Sequence, residues 1–369
     1  RGLGDVYKRQ GANFTICRMP VGANDFSRDW YSYDEVDGDF TMEHFTIAND
    51  QQTLIPFIKN ARKYQPDLRL WASPWCPPAW MKYNKHYASA YTGENYDEKY
   101  RNGLSADKVG HEGTDMFIQD SLYLKAYALY FSKFIEAYKK HGIPIFAVMP
   151  QNEFNSAQIF PSCCWTSASL ANFIGNYLGP TMQVQGVDIM FGTMERANES
   201  LVDTVLTDPA SGKYVKGVGF QCVGKEQECG DGKNDWKGAM YSWGLMRHFL
   251  DNGVSAYMYW NISLENGGIS RWGWAQNSLV VVDPQTKSYR YTPEYYVMKH
   301  VSHYVQPGAY KLETEGAYTN LLAFRNPDNS IALIIANETS DDRSLSIRIG
   351  DRVYTPIVKA YSMNTLLVD

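Results

Sequence analysis

Gln151-Asn152-Glu153 closes the apolar run 143–150, and Glu226-Gln227-Glu228 follows the run 217–222. A carboxylate just past the C-terminal end of a short β-run sits where a barrel enzyme displays its catalytic groups. Two such carboxylates facing one pocket are the minimum equipment for cleaving a glycosidic bond. One must be protonated at working pH and the other ionised. In the retaining form their oxygens stand roughly 5–5.5 Å apart, so that the second can attack the anomeric carbon directly. Exposed glutamates are common, so the weight of the reading falls on the elements that would position these.

Those elements belong to a chain of 369 residues with a net charge of −5. That length can bury a large core and predicts one large domain plus a smaller one. The acidic balance offers no basic field for nucleic acid or an anionic membrane, and no stretch has the roughly 18 uninterrupted apolar residues of a membrane span. Aromatic residues make up 14%, with 10 Trp and 27 Tyr, which predicts a Tyr-rich core. Several Trp nevertheless sit at run ends, where flat faces suit sugar rings.

The six cysteines are too sparse for a disulfide scaffold and lack zinc-ribbon spacing. Adjacent Cys163 and Cys164 are read as free thiols in preference to a strained vicinal disulfide. His300 and His303 form the one close histidine pair, with no third ligand type beside them, so no metal site is expected. Glu265 is read as structural. Residues 1–10 carry no apolar period and no signal-peptide core, so the chain is expected to be a fragment whose natural N-terminus and any secretion signal lie outside it.

From residue 11 onward, short β-runs alternate with amphipathic helices. Strands are predicted at 14–19, 68–72, 143–150, 187–193, 217–222 and 255–262, the last ending in Tyr259-Trp260-Asn261. Helices are predicted at 49–64, 122–141, 167–177 and 235–252. In the second of these Tyr127, Tyr130, Phe131, Phe134 and Tyr138 share one face, and Gly142 is the stop. Residues 83–118, rich in Tyr, Asn and Gly, are expected to form a long surface loop. Alternation of strand and helix implies parallel pairing, hence an α/β layer or barrel. After residue 303 the runs at 320–325, 331–337, 345–349 and 361–368 predict a small antiparallel β-domain.

One place breaks the rhythm. Glu226 follows Cys222 after three residues, whereas a parallel strand pair needs a crossover of about a dozen or more. Either Glu226 and Glu228 occupy the loop of that same strand, or a helix and strand are missing before them.

With these residues assembled, the chain resembles glycoside hydrolase family 30, the glucosylceramidase-like retaining β-glycosidases, from about residue 11 to the C-terminus. The resemblance is carried by Arg18-Met19-Pro20-Val21-Gly22 followed by Asp25-Phe26-Ser27, by Ala72-Ser73-Pro74-Trp75, and by Pro77-Pro78-Ala79-Trp80-Met81-Lys82. Gln151-Asn152-Glu153, the run Glu228-Cys229-Gly230-Asp231-Gly232, Tyr259-Trp260-Asn261 and Trp272-Gly273-Trp274-Ala275-Gln276-Asn277 continue it, and Pro293-Glu294-Tyr295-Tyr296 ends it. Gln-Asn-Glu alone is a weak signal; the ordered set is a strong one.

The resemblance implies an incomplete (β/α)₈ TIM-type barrel over 11–303 and a C-terminal antiparallel β-sandwich over 304–369, with 1–10 a leader outside the match. It implies Glu153 as general acid/base and Glu226 as nucleophile, with Glu228 the alternative because Lys225 stands where Ser or Thr is expected. Asp25, Trp75, Asn152, Trp260 and Asn277 match positions lining the sugar subsite. It further implies a carbohydrate or glycolipid substrate such as a glucosyl lipid or a β-1,6-glucan, no cofactor, and a secreted, periplasmic or cell-surface protein. The family's first barrel strand finds no match before Gly11, its helix and strand between Lys225 and Glu226 read as deleted, and Cys222 stands where Trp is expected. Viewed singly, Glu153 is an ordinary loop carboxylate, Trp75 a core plug and Asp25 an Asx cap on the next turn.

Overall fold

In the computed structural model, which describes residues 6–8, 10–221 and 230–369, five strands pair in parallel in their sequence order. They are β1 (Ile16–Pro20), β2 (Arg69–Ser73), β3 (Ile145–Val148), β4 (Asp188–Gly192) and β5 (Val215–Gly219). Each must return to the same edge before the next begins, so helices fill the crossovers. α1 (Ala48–Gln52) and α2 (Leu54–Tyr64) join β1 to β2, and α3 (Ser121–Lys140) joins β2 to β3. α4 (Ser167–Phe173) and α5 (Gly179–Gln185) join β3 to β4, and α6 (Glu199–Thr207) joins β4 to β5. Every C-terminal strand end therefore opens on one edge of the sheet.

α3 shows how the sequence dictates an element. Asp120 caps it by accepting from the Leu122 N–H, its last turn carries Lys139 and Lys140, and Gly142 follows at φ +75°. Its predicted face of Tyr127, Tyr130, Phe131, Phe134 and Tyr138 is fully buried. Three tyrosine hydroxyls, of Tyr31 (2.7 Å), Tyr33 (2.5 Å) and Tyr138 (2.5 Å), donate to the buried carboxylate of Asp50 and hold α1 against α3. The Tyr-rich core is thus cross-linked by polar contacts as well as packed.

The helix predicted over 49–64 is two helices broken at Thr53 (φ −125°, ψ −77°). Pro56 is the reason: it has no N–H for the carbonyl four residues back, and its ring crowds that carbonyl. The strand predicted at 255–262 is not formed. Residues 254–262 carry no strand, and only β6 (Ser263–Glu265) pairs, in parallel with β7 (Val280–Asp283). A strand exists only with a ladder partner, and among the described residues nothing pairs with the far edge of β5.

The surface loop expected at 83–118 is in part a packed lid. Ala88, Leu104, Met116 and Phe117 are buried in it. Asn102 Nδ2 donates to the carbonyls of Ala90 (2.7 Å) and Ile159 (2.9 Å), and the fully buried Lys82 ammonium donates to those of Tyr87, Ala88 and Ser162. Loop composition alone does not reveal such internal satisfaction of backbone carbonyls.

α7 (Trp236–Asp251) packs on α8 (Pro293–Ser302), and α8 packs on the C-terminal sheet; β8 (Ser288–Tyr291) forms a hairpin with β7. That sheet runs β16-β11-β10-β9, from β9 (Tyr310–Leu312), β10 (Leu321–Arg325), β11 (Ile331–Asn337) and β16 (Ser362–Val368). Two short antiparallel pairs, β12 (Arg343–Ser344) with β15 (Ile357–Val358) and β13 (Ile347–Ile349) with β14 (Arg352–Tyr354), lie between β11 and β16 in the chain. Ile334 and Ala336 of β11 join the main core, while Leu333 and Ile335 face a second apolar layer with Val358. Burial on both faces explains why this strand reads as one continuous apolar run. His300 and His303 are joints of this packing: His300 Nδ1 meets Thr365 Oγ1 at 2.8 Å, and His303 Nδ1 meets the Gly11 carbonyl at 2.8 Å.

Candidate active site

Successive strand ends deliver the polar groups. In β1, Arg18 interrupts an otherwise apolar run, and its guanidinium is committed three ways. It donates to Ser73 Oγ (2.7 and 3.0 Å), donates to Asn152 Oδ1 (2.6 Å), and lies over the ring of Trp75 at 4.4 Å. Arg18 thus links the ends of β1, β2 and β3. Its Asn152 bond orients the side-chain amide, and Nδ2 has no hydrogen-bond partner among the described residues.

Asn152 is also held through its backbone, the N–H donating to the Pro74 carbonyl at 2.8 Å. Glu153 follows in a left-handed conformation (φ +48°), which a non-glycine residue adopts at a cost of about 1 kcal/mol or more. Its N–H donates to the Thr193 carbonyl (3.1 Å), and Thr193, itself at φ +47°, donates to the Gly219 carbonyl (2.7 Å). Gly192 makes that approach possible, since a Cβ there would lie 2.2 Å from the Gly219 oxygen.

The Glu153 carboxyl accepts from Gln221 Nε2 through Oε1, and its Oε2 is buried with no partner among the described residues. Burial first, then the charges of Asp25 and Glu195, push its pKa up from 4.5 to about 8, against the opposing pull of Arg18 and Gln221. Asp25 is 8% exposed, its Oδ1 lacks a partner among the described residues, and burial lifts its pKa to about 7 although Arg18 pulls it down. The same burial lowers Arg18 to about 10, with Glu153 and Asp25 opposing the fall. A site that raises two carboxyls towards neutral pH is one built to hold and release protons.

A cleft of about 140 Å³ meets this group of charges at Arg18 and is lined further by Asn24, Phe26, Trp75, Trp260 and Asn261 among others. Trp75 and Trp260 stack on each other, centroids 5.5 Å apart at 29°, and together make one wall instead of two facing ones. Trp272 extends the aromatic cluster and donates its indole N–H to the Asp25 carbonyl at 3.1 Å.

The structure therefore brings together Asp25, Trp75, Asn152, Glu153 and Trp260. The Asn277 amide is engaged with other partners. Its Oδ1 accepts from the N–H groups of Gly232 (2.9 Å) and Asn234 (3.4 Å), and its Nδ2 donates to Glu294 Oε1 (2.7 Å). It is a buried clip between a turn and α8. Glu226 and Glu228 lie outside the described residues. Sequence reasoning assigns no role to Arg18 or Gln221, yet each leaves a trace: a cation inside an apolar strand, and a polar residue just past one. Among the described residues, no His, Cys, Asp and Glu cluster could hold a metal ion, no helix is long and apolar enough to cross a membrane, and Cys163 and Cys164 are buried free thiols.

Residues 3–235 match the family model for the glycosyl hydrolase family 30 TIM-barrel domain, and residues 308–366 match that for the glycosyl hydrolase family 30 beta sandwich domain. The chain is 28% identical to putative glucosylceramidase 1 of Caenorhabditis elegans, over 92% of this chain and 70% of that protein. It is 26% identical to the lysosomal acid glucosylceramidase of Mus musculus, over 99% of this chain and 75% of that protein. Identity to the endo-1,6-beta-D-glucanase neg1 of Aspergillus fumigatus is 27%, over 90% and 72%. Among solved structures, SrfJ from Salmonella typhimurium superposes with a TM-score of 0.82 at 23% identity, over 100% of this chain and 84% of that one.

Proposed function

Because this chain belongs to glycoside hydrolase family 30, we propose that it hydrolyses β-linked glucosides with retention of configuration, by double displacement. Glu153 is the proton donor and Glu226 the nucleophile, with Glu228 as the alternative. The observation that carries the reading is Glu153 itself: a strained, buried carboxyl at a strand end, raised to about 8, with one oxygen left without a partner among the described residues. A carboxyl with that pKa is protonated at pH 7, the state a general acid needs.

In the first step the proton leaves Glu153 for the glycosidic oxygen as the bond from that oxygen to the anomeric carbon breaks. The electron pair of that bond stays with the oxygen, and the nucleophile's carboxylate bonds the anomeric carbon. In the second, Glu153, now ionised, takes a proton from water as water displaces the enzyme carboxylate. Asn152 Nδ2, held by Arg18, is placed to bond the sugar 2-hydroxyl, a contact that tightens in the oxocarbenium-like state. The Trp75–Trp260 wall supplies an apolar face for the ring, and Asp25 accepts from its more distant hydroxyls. Glucosylceramidase and 1,6-glucanase relatives favour a glucosyl lipid or a β-1,6-glucan as substrate, and we propose that the protein is secreted, periplasmic or at the cell surface.

The test is turnover of aryl β-glucosides with leaving groups of graded acidity. Glu153→Gln should lose far more rate on poor leaving groups than on activated ones, and equal losses on both defeat the assignment. One observation favours a second reading, a sugar-binding protein without turnover: the far edge of β5 has no partner among the described residues. That reading predicts glucoside binding with no hydrolysis of any aryl glucoside.

A further inference from the structure

Gln221 stands two residues beyond β5, half-buried, and its amide Nε2 donates to Oε1 of Glu153. The bond spans an intervening strand, so its geometry is set by three strand ends at once. Glu153 is hung on the Thr193 carbonyl, Thr193 on that of Gly219, and the side chain of Gln221 closes the circuit from two residues further along. Glu153 and Thr193 both hold left-handed backbone there, and Gly192 lets β4 and β5 close up. Strain at two residues is kept where the surroundings over-determine it.

The two oxygens of the Glu153 carboxyl are thereby unequal. Oε1 already faces an amide hydrogen, and a second hydrogen bound to that atom would crowd the donor. Oε2 is buried and has no partner among the described residues, and an open buried acceptor marks where a further group completes the site. We propose that Gln221 is the positioning residue of the proton donor, holding Oε1 so that the transferable proton is confined to Oε2. This rests on the reading of Glu153 as general acid. A neutral amide suits that role because it keeps the same state at every working pH, while a cation in its place would pull the carboxyl towards permanent ionisation.

The experiment compares Gln221→Met, which removes the donor at similar size, with the isosteric Gln221→Glu. The readout is kcat/KM on aryl β-glucosides of graded leaving group, measured across pH. General acid catalysis contributes about 10²–10⁴-fold, so Gln221→Met should lose about 10–100-fold on poor leaving groups and little on activated ones. Its basic limb should also move up, because the ionised carboxyl has lost a donor. Gln221→Glu should move that limb further up, since two adjacent carboxyls then share one proton. Equal losses across leaving groups with an unmoved basic limb, or no loss at all, overturn the inference.

Glu153→Gln run in parallel separates the two levels. If it lacks leaving-group dependence, the general-acid reading falls and takes this one with it; if it has that dependence and the Gln221 variants do not, Gln221 alone is wrongly assigned. Should Gln221→Met fail to fold, Gln221→Glu decides. Should the chain show no turnover, a ¹³C NMR titration of the Glu153 carboxyl reads the same rise directly, and an unmoved titration overturns the inference.

Discussion

Replacing Glu153 by Gln should make the protein harder to unfold at alkaline pH and leave it unchanged near pH 4. The carboxyl is raised from 4.5 to about 8 in the folded chain, chiefly by burial. A group with a raised folded pKa contributes stability that is full below its unfolded pKa and lost as pH climbs through the folded one. The wild type therefore weakens between about pH 4.5 and 8 through this group, while the amide variant does not. At 1.36 kcal/mol per pH unit the ceiling is about 5 kcal/mol, and local water entry on ionisation reduces the expectation to about 2–4 kcal/mol. With about 2.1 cal/mol/K of unfolding entropy per residue and 369 residues, each kcal/mol moves Tm by about 1.3 °C. Calorimetric scans of both proteins from pH 4 to 9 should thus show curves that meet at the acid end and part by about 3–5 °C above pH 8. Parallel curves would refute the reasoning, because a carboxyl that ionises in the fold without cost is solvated and already charged at neutral pH.

Arg18→Met removes the guanidinium that anchors Asn152 and opposes the rise of Glu153 and Asp25. It should lower kcat/KM on aryl β-glucosides about 10–100-fold, from the loss of one charge-assisted hydrogen bond, and shift the basic limb upward in a pH–rate profile. Asp50→Ala strips the acceptor from the buried hydroxyls of Tyr33 and Tyr138 and the half-buried one of Tyr31, and should cost about 3–5 kcal/mol in denaturant unfolding. Asn277→Ala leaves the Gly232 N–H and Glu294 Oε1 without their partner. It should lower stability by about 1–3 kcal/mol in thermal scans with no sugar present; an unchanged Tm together with weakened glucose binding would instead put Asn277 in the sugar subsite.

Legibility differed from element to element for identifiable reasons. α3 was readable because its apolar face and its stop glycine agree. The split at Thr53 was readable in principle from Pro56, but the apolar spacing runs straight across it. Residues 255–262 look like a strand because the aromatic side chains Tyr257, Tyr259 and Trp260 crowd it, yet pairing is supplied by a neighbour, and composition carries no information about the neighbour. The lid over 83–118 hides for the same reason: Asn102 and Lys82 satisfy carbonyls distant in sequence.

Residue order alone determined which groups stand at the C-terminal ends of the strands, because parallel pairing in sequence order sends every such end to one edge. The family resemblance then implied that Asp25, Trp75, Asn152 and Glu153 share one subsite. Tertiary structure decided what each one does there. It tied Asn277 into a turn, stacked Trp75 on Trp260 as a single wall, and set Arg18 and Gln221 against Asn152 and Glu153. Burial and hydrogen-bond partners are properties of packed neighbours, and those neighbours come from five different strand ends.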